Sequence, residues 1–167
     1  MVDQAEIHRK AVSSEIGKRG EAAGRLRSDF AYLPDREAAW KDLHQLTQDK
    51  DRWVQSRSYY SIGRINILKA SEADENEIKK YLDMAIENFD KSIKELPKYN
   101  PAVFCTLFYK SYSTVLFKTE QSESEAKKFI EEAKKASEGS ESKAELLEAV
   151  KNLASALKEA DRYTTYL

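Results

Sequence analysis

The chain has little of what folds outside the all-helical class require. It contains only 5 glycines and 3 prolines, too few for the many turns of an all-β fold. Its single cysteine, Cys105, excludes an intrachain disulfide. It has neither an apolar run of about 18 residues nor a signal-peptide pattern. These absences predict an all-α protein of the cytoplasm, with no disulfide and no membrane span.

The chain also lacks an excess of charge of either sign. The 28 Lys and Arg residues face 29 Asp and Glu residues, so the formal net charge is -1 and no global field attracts nucleic acid or anionic lipid. Basic residues still cluster locally, at Lys18, Arg19, Arg25 and Arg27, and again at Arg52, Arg57 and Arg64. At helical spacing such clusters favour solvated faces or partners for acids on other helices, and a nucleic-acid groove is the alternative.

Reactive groups are scarce. His8 and His44 are the only histidines, and neither has other metal ligands at a suitable spacing. No phosphate-binding glycine motif occurs, and Cys105 lies in an apolar segment. Neighbouring carboxylates, such as those of Asp49 and Asp51 or Glu131 and Glu132, fit helix caps and solvated faces better than a desolvated cleft. The sequence therefore predicts no catalytic residue, no metal, no cofactor and no enzyme activity.

The first part of the chain has helical periodicity with clear stop signals. Asp3 is a plausible N-cap, and apolar residues follow at helical spacing as far as Phe30. Because glycine costs about 1 kcal/mol in a helix interior, we expect a break or close packing near Gly20. Leu33-Pro34-Asp35 ends this helix and begins the next. The buried stripe of that second helix is predicted to contain Ala38, Ala39, Trp40, Leu43 and Leu46.

A tight acidic turn separates the second helix from the third. Asp49-Lys50-Asp51 closes the second helix, and Asp51 is positioned to accept a hydrogen bond from the free N–H of Trp53 or Val54. Asp49 is expected to steady the same turn. The helix that follows carries Val54, Tyr59, Ile62 and Ile65.

The Asp-X-Asp turn, Trp53-Val54-Gln55, Ser58 and Ile62-Gly63 resemble the HEAT repeat. The resemblance implies that the Asp caps the second helix, that the Val packs inward, and that an Arg beside the Val pairs with an Asp of a neighbouring repeat. Gln55 stands where that Arg is expected. More closely, residues 33–51 are similar to repeats of archaeal HEAT-like proteins of uncharacterised function, and the likeness covers residues 20–70. An offset of 36 residues, which sets Leu26 over Ile62, gives partial internal repetition.

The character of the chain changes at Ser71. Residues 71–77 form a polar connector, in which Asp74 and Glu77 have the spacing of a capping box. A strongly amphipathic helix follows and ends before Pro97. Ala85, Phe89, Ser92 and Pro97 resemble the second helix of a tetratricopeptide repeat, and Phe104, Cys105 and Phe108, then Ala126, Ile130 and Ala133, resemble the next pair. We expect a HEAT-like region at 1–70 and a tetratricopeptide-like region at 71–167, packed as one continuous array.

Together these patterns predict a right-handed α-solenoid of antiparallel helix pairs with about seven helices. The predicted function is a non-enzymatic protein-protein interaction scaffold with a concave helical surface. The residues expected at that surface are Arg57, Tyr59, Tyr60, Tyr109 and Tyr112. One alternative is a nucleic-acid-binding helical repeat module. The other is a helical regulatory fragment of a larger protein, since the last helix runs toward Leu167 with no stop signal. The sequence names neither the partner nor the oligomeric state.

Overall fold

The computed structural model describes residues 2–96 and the isolated helical positions 128, 131, 132, 135 and 144. The chain divides into two compact units, Met1–Tyr99 and Asn100–Leu167. In residues 2–96 the helices are α1 (Gln4–Ala11), α2 (Ile16–Ser28), α3 (Arg36–Leu46), α4 (Arg52–Glu72) and α5 (Glu75–Glu95), with one 3-10 turn at Phe30–Tyr32. The described residues include no strand, which confirms the all-α class for this part of the chain.

Short-range capping sets most helix starts. Three aspartates accept a hydrogen bond from the backbone N–H three residues later: Asp3 (3.1 Å), Asp35 (2.9 Å) and Asp51 (3.1 Å). Asp49 accepts from the backbone N–H of Asp51 at 3.0 Å and so steadies the turn, as predicted. These bonds satisfy N–H groups that a helix leaves without partners, and they fix the starts of α1, α3 and α4.

Three local expectations have different outcomes. Of the break or close packing expected near Gly20, the close packing is confirmed, since Gly20 lies inside α2 against Trp53. The N-terminal helix breaks instead at residues 12–15, where Ser13 accepts from the backbone N–H of Glu15. Ala38 is exposed, although Ala39, Leu43 and Leu46 are buried as expected. Asp74 is the N-cap of α5, but its side chain makes no cap hydrogen bond.

The polar connector is also shorter than residues 71–77. Helix α4 continues to Glu72 and α5 begins at Glu75, so only Ala73 and Asp74 lie between them. The predicted division into regions 1–70 and 71–167 stays a prediction. So do the helices, caps and repeat motifs expected after Leu96, which fall outside the described range.

Helices that follow one another in the chain pack antiparallel, and α1 with α3 and α2 with α4 pack parallel. Arg36 at the start of α3 lies 3.5 Å from Glu72 at the end of α4, so these two helices are antiparallel. Helices α2 and α4 are parallel, because contacts advance along both together: Gly20 with Trp53, Gly24 with Arg57, and Arg27 with Tyr60. Each of these pairs is 33 residues apart. Two helical hairpins, α1/α2 and α3/α4, therefore stack side by side.

Helices α1 and α3 are held by polar contacts. The Gln4 side chain donates to the carbonyl of Asp35 at 2.7 Å and accepts from its N–H at 3.0 Å. One turn further along α1, Nδ1 of His8 lies 2.9 Å from the Asp42 carboxylate. Both contacts advance in the same direction along the two helices, so α1 and α3 are parallel as well.

Helix α5 packs antiparallel on α4 through small residues. Ser92 donates to the carbonyl of Ser56 at 2.7 Å, and the Ser56 hydroxyl lies 2.9 Å from both the hydroxyl and the carbonyl of Ser92. Further along, the ring of Phe89 lies against Gly63, where a Cβ atom would clash with it. Small groups at both points let the two backbones approach closely, and Phe89 is 0% exposed.

Candidate interaction surface

One stripe of α4 meets α2 in a set of arginine and aromatic side chains. Trp53, Arg57, Tyr60 and Arg64 are spaced at four, three and four residues, which places them on one side of the helix. Arg27 joins them from α2. We call these five residues the arginine–aromatic face.

Two glycines of α2 shape this face. The six-membered ring of Trp53 lies directly on Gly20, and a Cβ atom at Gly24 would be 2.6 Å from Nη2 of Arg57. With no side chain at either position, the Trp53 ring and the Arg57 guanidinium lie against the α2 backbone. Both side chains are half-buried.

The guanidinium groups stack on the aromatic rings. Cζ of Arg57 lies 5.5 Å from the Trp53 ring centroid, and Cζ of Arg27 lies 5.4 Å from that of Tyr60. Cζ of Arg64 lies 6.0 Å from the same Tyr60 ring. These distances are in the range of cation–π contact, which favours a defined position for each charge.

Charge on α2 and α4 is strongly uneven despite the balanced composition. Helix α2 has four basic residues and one carboxylate, and α4 also has four and one. The α4 carboxylate is Glu72, so residues 52–71 contain no acid at all. The two parallel helices therefore concentrate positive charge that the rest of the chain offsets.

The acids around α2 bind other cations. Glu21 lies 2.6 Å from Lys10, Asp29 lies 3.0 Å from Arg25, and Asp49 lies 2.7 Å from Arg19. The hydrogen bond from Lys10, together with its charge, lowers the pKa of Glu21, and the charges of Arg25 and Arg57 contribute less. Glu21 therefore stays ionised and remains directed at Lys10.

Arg27 and Arg57 are left without such partners. Within the part of the chain that the structure describes, no carboxylate lies within ion-pair distance of either guanidinium, and neither donates a hydrogen bond to protein. The Nε atom of each is fully buried and has no hydrogen-bond partner. A buried N–H donor without an acceptor costs free energy.

The predicted surface residues have different positions. Arg57 belongs to the arginine–aromatic face, while Tyr59 is half-buried on the side of α4 that meets α5, with Nζ of Lys91 5.9 Å from its ring centroid. Tyr60 is only 7% exposed and packs on Phe89 at 5.8 Å between ring centroids. Tyr109 and Tyr112 lie outside the described residues. The assignment of Tyr109 and Tyr112 to an interaction surface stays a prediction.

Comparison with known proteins gives no relative. No protein-family profile, curated protein sequence or solved structure matches this chain. The resemblances to HEAT and tetratricopeptide repeats, and the archaeal origin, stay predictions.

The sequence alone does not indicate that Trp53 and Arg27 belong to this surface. In the sequence, Arg27 is part of a general basic cluster and Trp53 is part of a repeat motif. The available signal was the constant separation of 33 residues between Gly20 and Trp53, and between Gly24 and Arg57. It becomes recognisable only when the register of α2 on α4 is known.

Two clefts lie elsewhere in residues 2–96. A groove of about 640 Å³ between α1 and α3 is lined by His8, Ala11, Val12, Ala38, Lys41, Asp42, Gln45 and Leu46. A second of about 340 Å³ lies at the junction of α4 and α5, next to Lys69 and Glu77.

No group of three or more His, Cys, Asp and Glu side chains among the described residues could hold a metal ion. None of the described helices is long and apolar enough to cross a membrane.

Two glycines of α2 give a matched test of the α2/α4 contact. Gly20→Ala drives a methyl group into the Trp53 ring, so we expect a loss of about 1–2 kcal/mol in the free energy of unfolding after the gain in helix propensity. Gly17 has nothing within 4 Å of an added Cβ, so Gly17→Ala should stabilise by up to about 1 kcal/mol. Urea unfolding followed by circular dichroism measures both. Equal effects of the two substitutions would contradict the close contact.

Proposed function

We propose that this protein is a non-enzymatic interaction scaffold of the cytoplasm and that the arginine–aromatic face is where it binds another protein. The observation that carries the proposal is the pair of half-buried guanidinium groups, Arg27 and Arg57, held on aromatic rings without a carboxylate partner among the described residues. Arginine and tryptophan are enriched among the residues that dominate protein-protein binding energy. Because both are already ordered on the helices, little conformational entropy is lost on binding.

We further propose that the helix pairs continue as a right-handed α-solenoid of the HEAT-like kind. The parallel stacking of α2 on α4, and of α1 on α3, supports repeated hairpins. Arg19, which stands 36 residues before Gln55, forms a bidentate pair with Asp49 at 2.7 and 3.1 Å. An Arg–Asp pair at this position supports the contact between neighbouring units that the resemblance implies, with the Arg supplied by the preceding unit. Gln55 itself donates to the carbonyl of Asp49.

A nucleic-acid-binding module is the second candidate, favoured by the concentration of basic residues on α2 and α4. Such binding releases counterions, so its affinity falls steeply and linearly with the logarithm of salt concentration. The two candidates differ in what a photoreactive group on the surface captures: protein in one case, and nuclease-sensitive material in the other.

Site-specific photocrosslinking tests the scaffold function without assuming the partner's chemistry. Arg64, the exposed member of the arginine–aromatic face, is replaced by the photocrosslinker p-benzoylphenylalanine. The matched control carries the same group at Lys41, an exposed position on α3. Irradiation of the purified protein in native cell extract should give a discrete protein adduct from position 64 and none from position 41.

The identity of the adduct decides the outcome. The same protein must be recovered in independent extracts, and unlabelled wild-type protein must compete for it. Adducts of equal yield from both positions, or adducts removed by nuclease, would exclude an interaction scaffold acting through this face.

A further inference from the structure

We propose that the arginine–aromatic face recognises an acidic segment of its partner protein, with Arg27 and Arg57 each binding a carboxylate. This inference rests on the proposed scaffold function and specifies the chemistry of the partner. The carboxylates of Glu21, Asp29 and Asp49, which lie in or next to α2, bind other cations, as described above. Carboxylates supplied from another chain are the complementary ligands for the two guanidinium groups that remain.

The two guanidinium groups are preorganised to bind a carboxylate. Stacking on Trp53 and Tyr60 fixes each planar group, so its N–H donors point in set directions before any partner arrives. Carboxylates bind such a fork with two parallel hydrogen bonds, which a single ammonium group cannot offer in the same geometry. A lysine at either position would therefore keep the charge and lose this geometry.

The spacing of the two arginines defines the segment. Arg57 lies over Gly24 and Arg27 lies three residues further along α2, which corresponds to about 4.5 Å of helix rise. Residues two apart on an extended chain are separated by about 7 Å. The flexible Glu side chains of the ligand can make up the difference between about 7 Å and about 4.5 Å. A short run with acidic residues at alternate positions therefore reaches both guanidinium groups.

The aromatic rings argue against nucleic acid as the ligand. Proteins that bind single strands stack bases on open aromatic faces. Here the Trp53 ring lies between Gly20 and Arg57. Tyr60 is 7% exposed and is contacted by Arg27, Arg64 and Phe89. Both rings of this face are thus already contacted by protein groups, which leaves little open aromatic surface on which a base could stack.

Binding of a defined acidic probe tests the inference on the full chain. The probe is a fluorescein-labelled peptide of alternating Glu and Ala, and its neutral match has Gln in place of every Glu. By fluorescence anisotropy, the wild type should bind the Glu peptide and not the Gln peptide. Arg57→Gln and Arg27→Gln should each weaken binding about tenfold or more. Arg57→Lys should weaken it nearly as much, because it keeps the charge and loses the fork.

Arg9→Gln is the matched control, since Arg9 is an exposed residue of α1 and its loss changes the net charge equally. It should leave the affinity within about twofold. Circular dichroism melting establishes that each variant is folded. Three results would each overturn the proposal. Arg9→Gln could weaken peptide binding as much as Arg57→Gln, the Gln peptide could bind as tightly as the Glu peptide, or an oligo-dT strand of matched charge could bind more tightly than the Glu peptide.

The crosslinking experiment separates this inference from the scaffold function. If the face captures a protein whose yield is unchanged by Arg27→Gln and Arg57→Gln, the scaffold function stands and acidic recognition is wrong. If it captures no protein, yet the Glu peptide binds in an Arg57-dependent way, the carboxylate site stands and the scaffold function is wrong.

Discussion

Replacing Phe89 with Ala should lower the free energy of unfolding of residues 1–99 by about 3–5 kcal/mol. Phe89 is 0% exposed, lies against Gly63 of α4 and packs on Tyr60 at 5.8 Å between ring centroids. Truncating the ring removes its burial and leaves a cavity that a helix pair joined at Ser56 and Ser92 cannot easily close. The loss is a large part of the stability of a typical domain.

The chain offers a selective probe for this measurement. Its only two tryptophans, Trp40 and Trp53, lie in the first compact unit, so intrinsic fluorescence in urea follows the unfolding of that unit within the full chain. Met84→Ala is the control on α5, because Met84 is 36% exposed, and it should cost less than about 1 kcal/mol. A comparable loss for both variants would show that Phe89 does not anchor α5 on α4.

Gly63→Ala extends the same test. In the wild-type background the new methyl group meets the Phe89 ring, so overpacking should cost about 1–3 kcal/mol. In the Phe89→Ala background the methyl group enters the cavity, and the same substitution should be neutral or stabilising. A double-mutant cycle gives the coupling between the two positions, and additive effects would contradict their contact.

Replacing Asp49 with Ala should lower the free energy of unfolding by about 2–3 kcal/mol, the value of hydrogen bonds to a charged group. The Asp49 side chain is 8% exposed and accepts two hydrogen bonds from Arg19 and one from the backbone N–H of Asp51. Its loss leaves the Arg19 guanidinium, which is 15% exposed, without its carboxylate and also loosens the turn that starts α4.

The same carboxylate gives the stability a defined pH dependence. Burial raises the pKa of Asp49, but the hydrogen bonds from Arg19 and the Asp51 backbone, with the charge of Arg19, outweigh burial and lower it below its usual 3.8. A carboxyl whose pKa is lower in the folded state stabilises the fold above its unfolded pKa. That contribution is lost as the pH falls from about 5 through the folded pKa.

Urea midpoints measured from neutral pH down to acid detect this contribution. Asp49→Asn should make stability fall less steeply with acid than in the wild type, and Arg19→Ala should remove most of the same dependence. Asp83→Asn is the control, because Asp83 pairs with Lys79 on an exposed part of α5. If Asp83→Asn altered the acid dependence as much as Asp49→Asn, the assignment to Asp49 would be wrong.

Much of the local structure was predictable because it depends on short-range chemistry. Asp3, Asp35 and Asp51 each cap a helix by bonding an N–H three residues away, and such a bond needs no other part of the chain. The apolar face of α5 was predictable for a similar reason, since Leu82, Ala85 and Phe89 follow the helical period closely. The break at residues 12–15 was missed because Gly20 was the more obvious weak point, yet packing against Trp53 keeps Gly20 inside α2.

The candidate surface was predictable only in part. Arg57 and the tyrosines were recognised as surface candidates, but the sequence could not decide that Tyr60 is buried beneath Arg27 while Tyr59 is half-buried on the side of α4 that meets α5. That distinction depends on how α4 is rotated between α2 and α5. The pairing of Arg19 with Asp49, which leaves Arg27 and Arg57 without a partner, likewise depends on which helices become neighbours.

The sequence by itself determined that the chain is helical in residues 2–96, which aspartates cap α1 and α4, and which face of α5 is apolar, because capping and periodicity act within a few residues. Only the tertiary structure decided that α2 and α4 lie parallel, with Gly20 under Trp53 and Gly24 under Arg57. Contacts between residues 33 positions apart depend on the register of two helices, and many registers satisfy the same apolar pattern. Close packing selects one of them, and that choice creates the arginine–aromatic face.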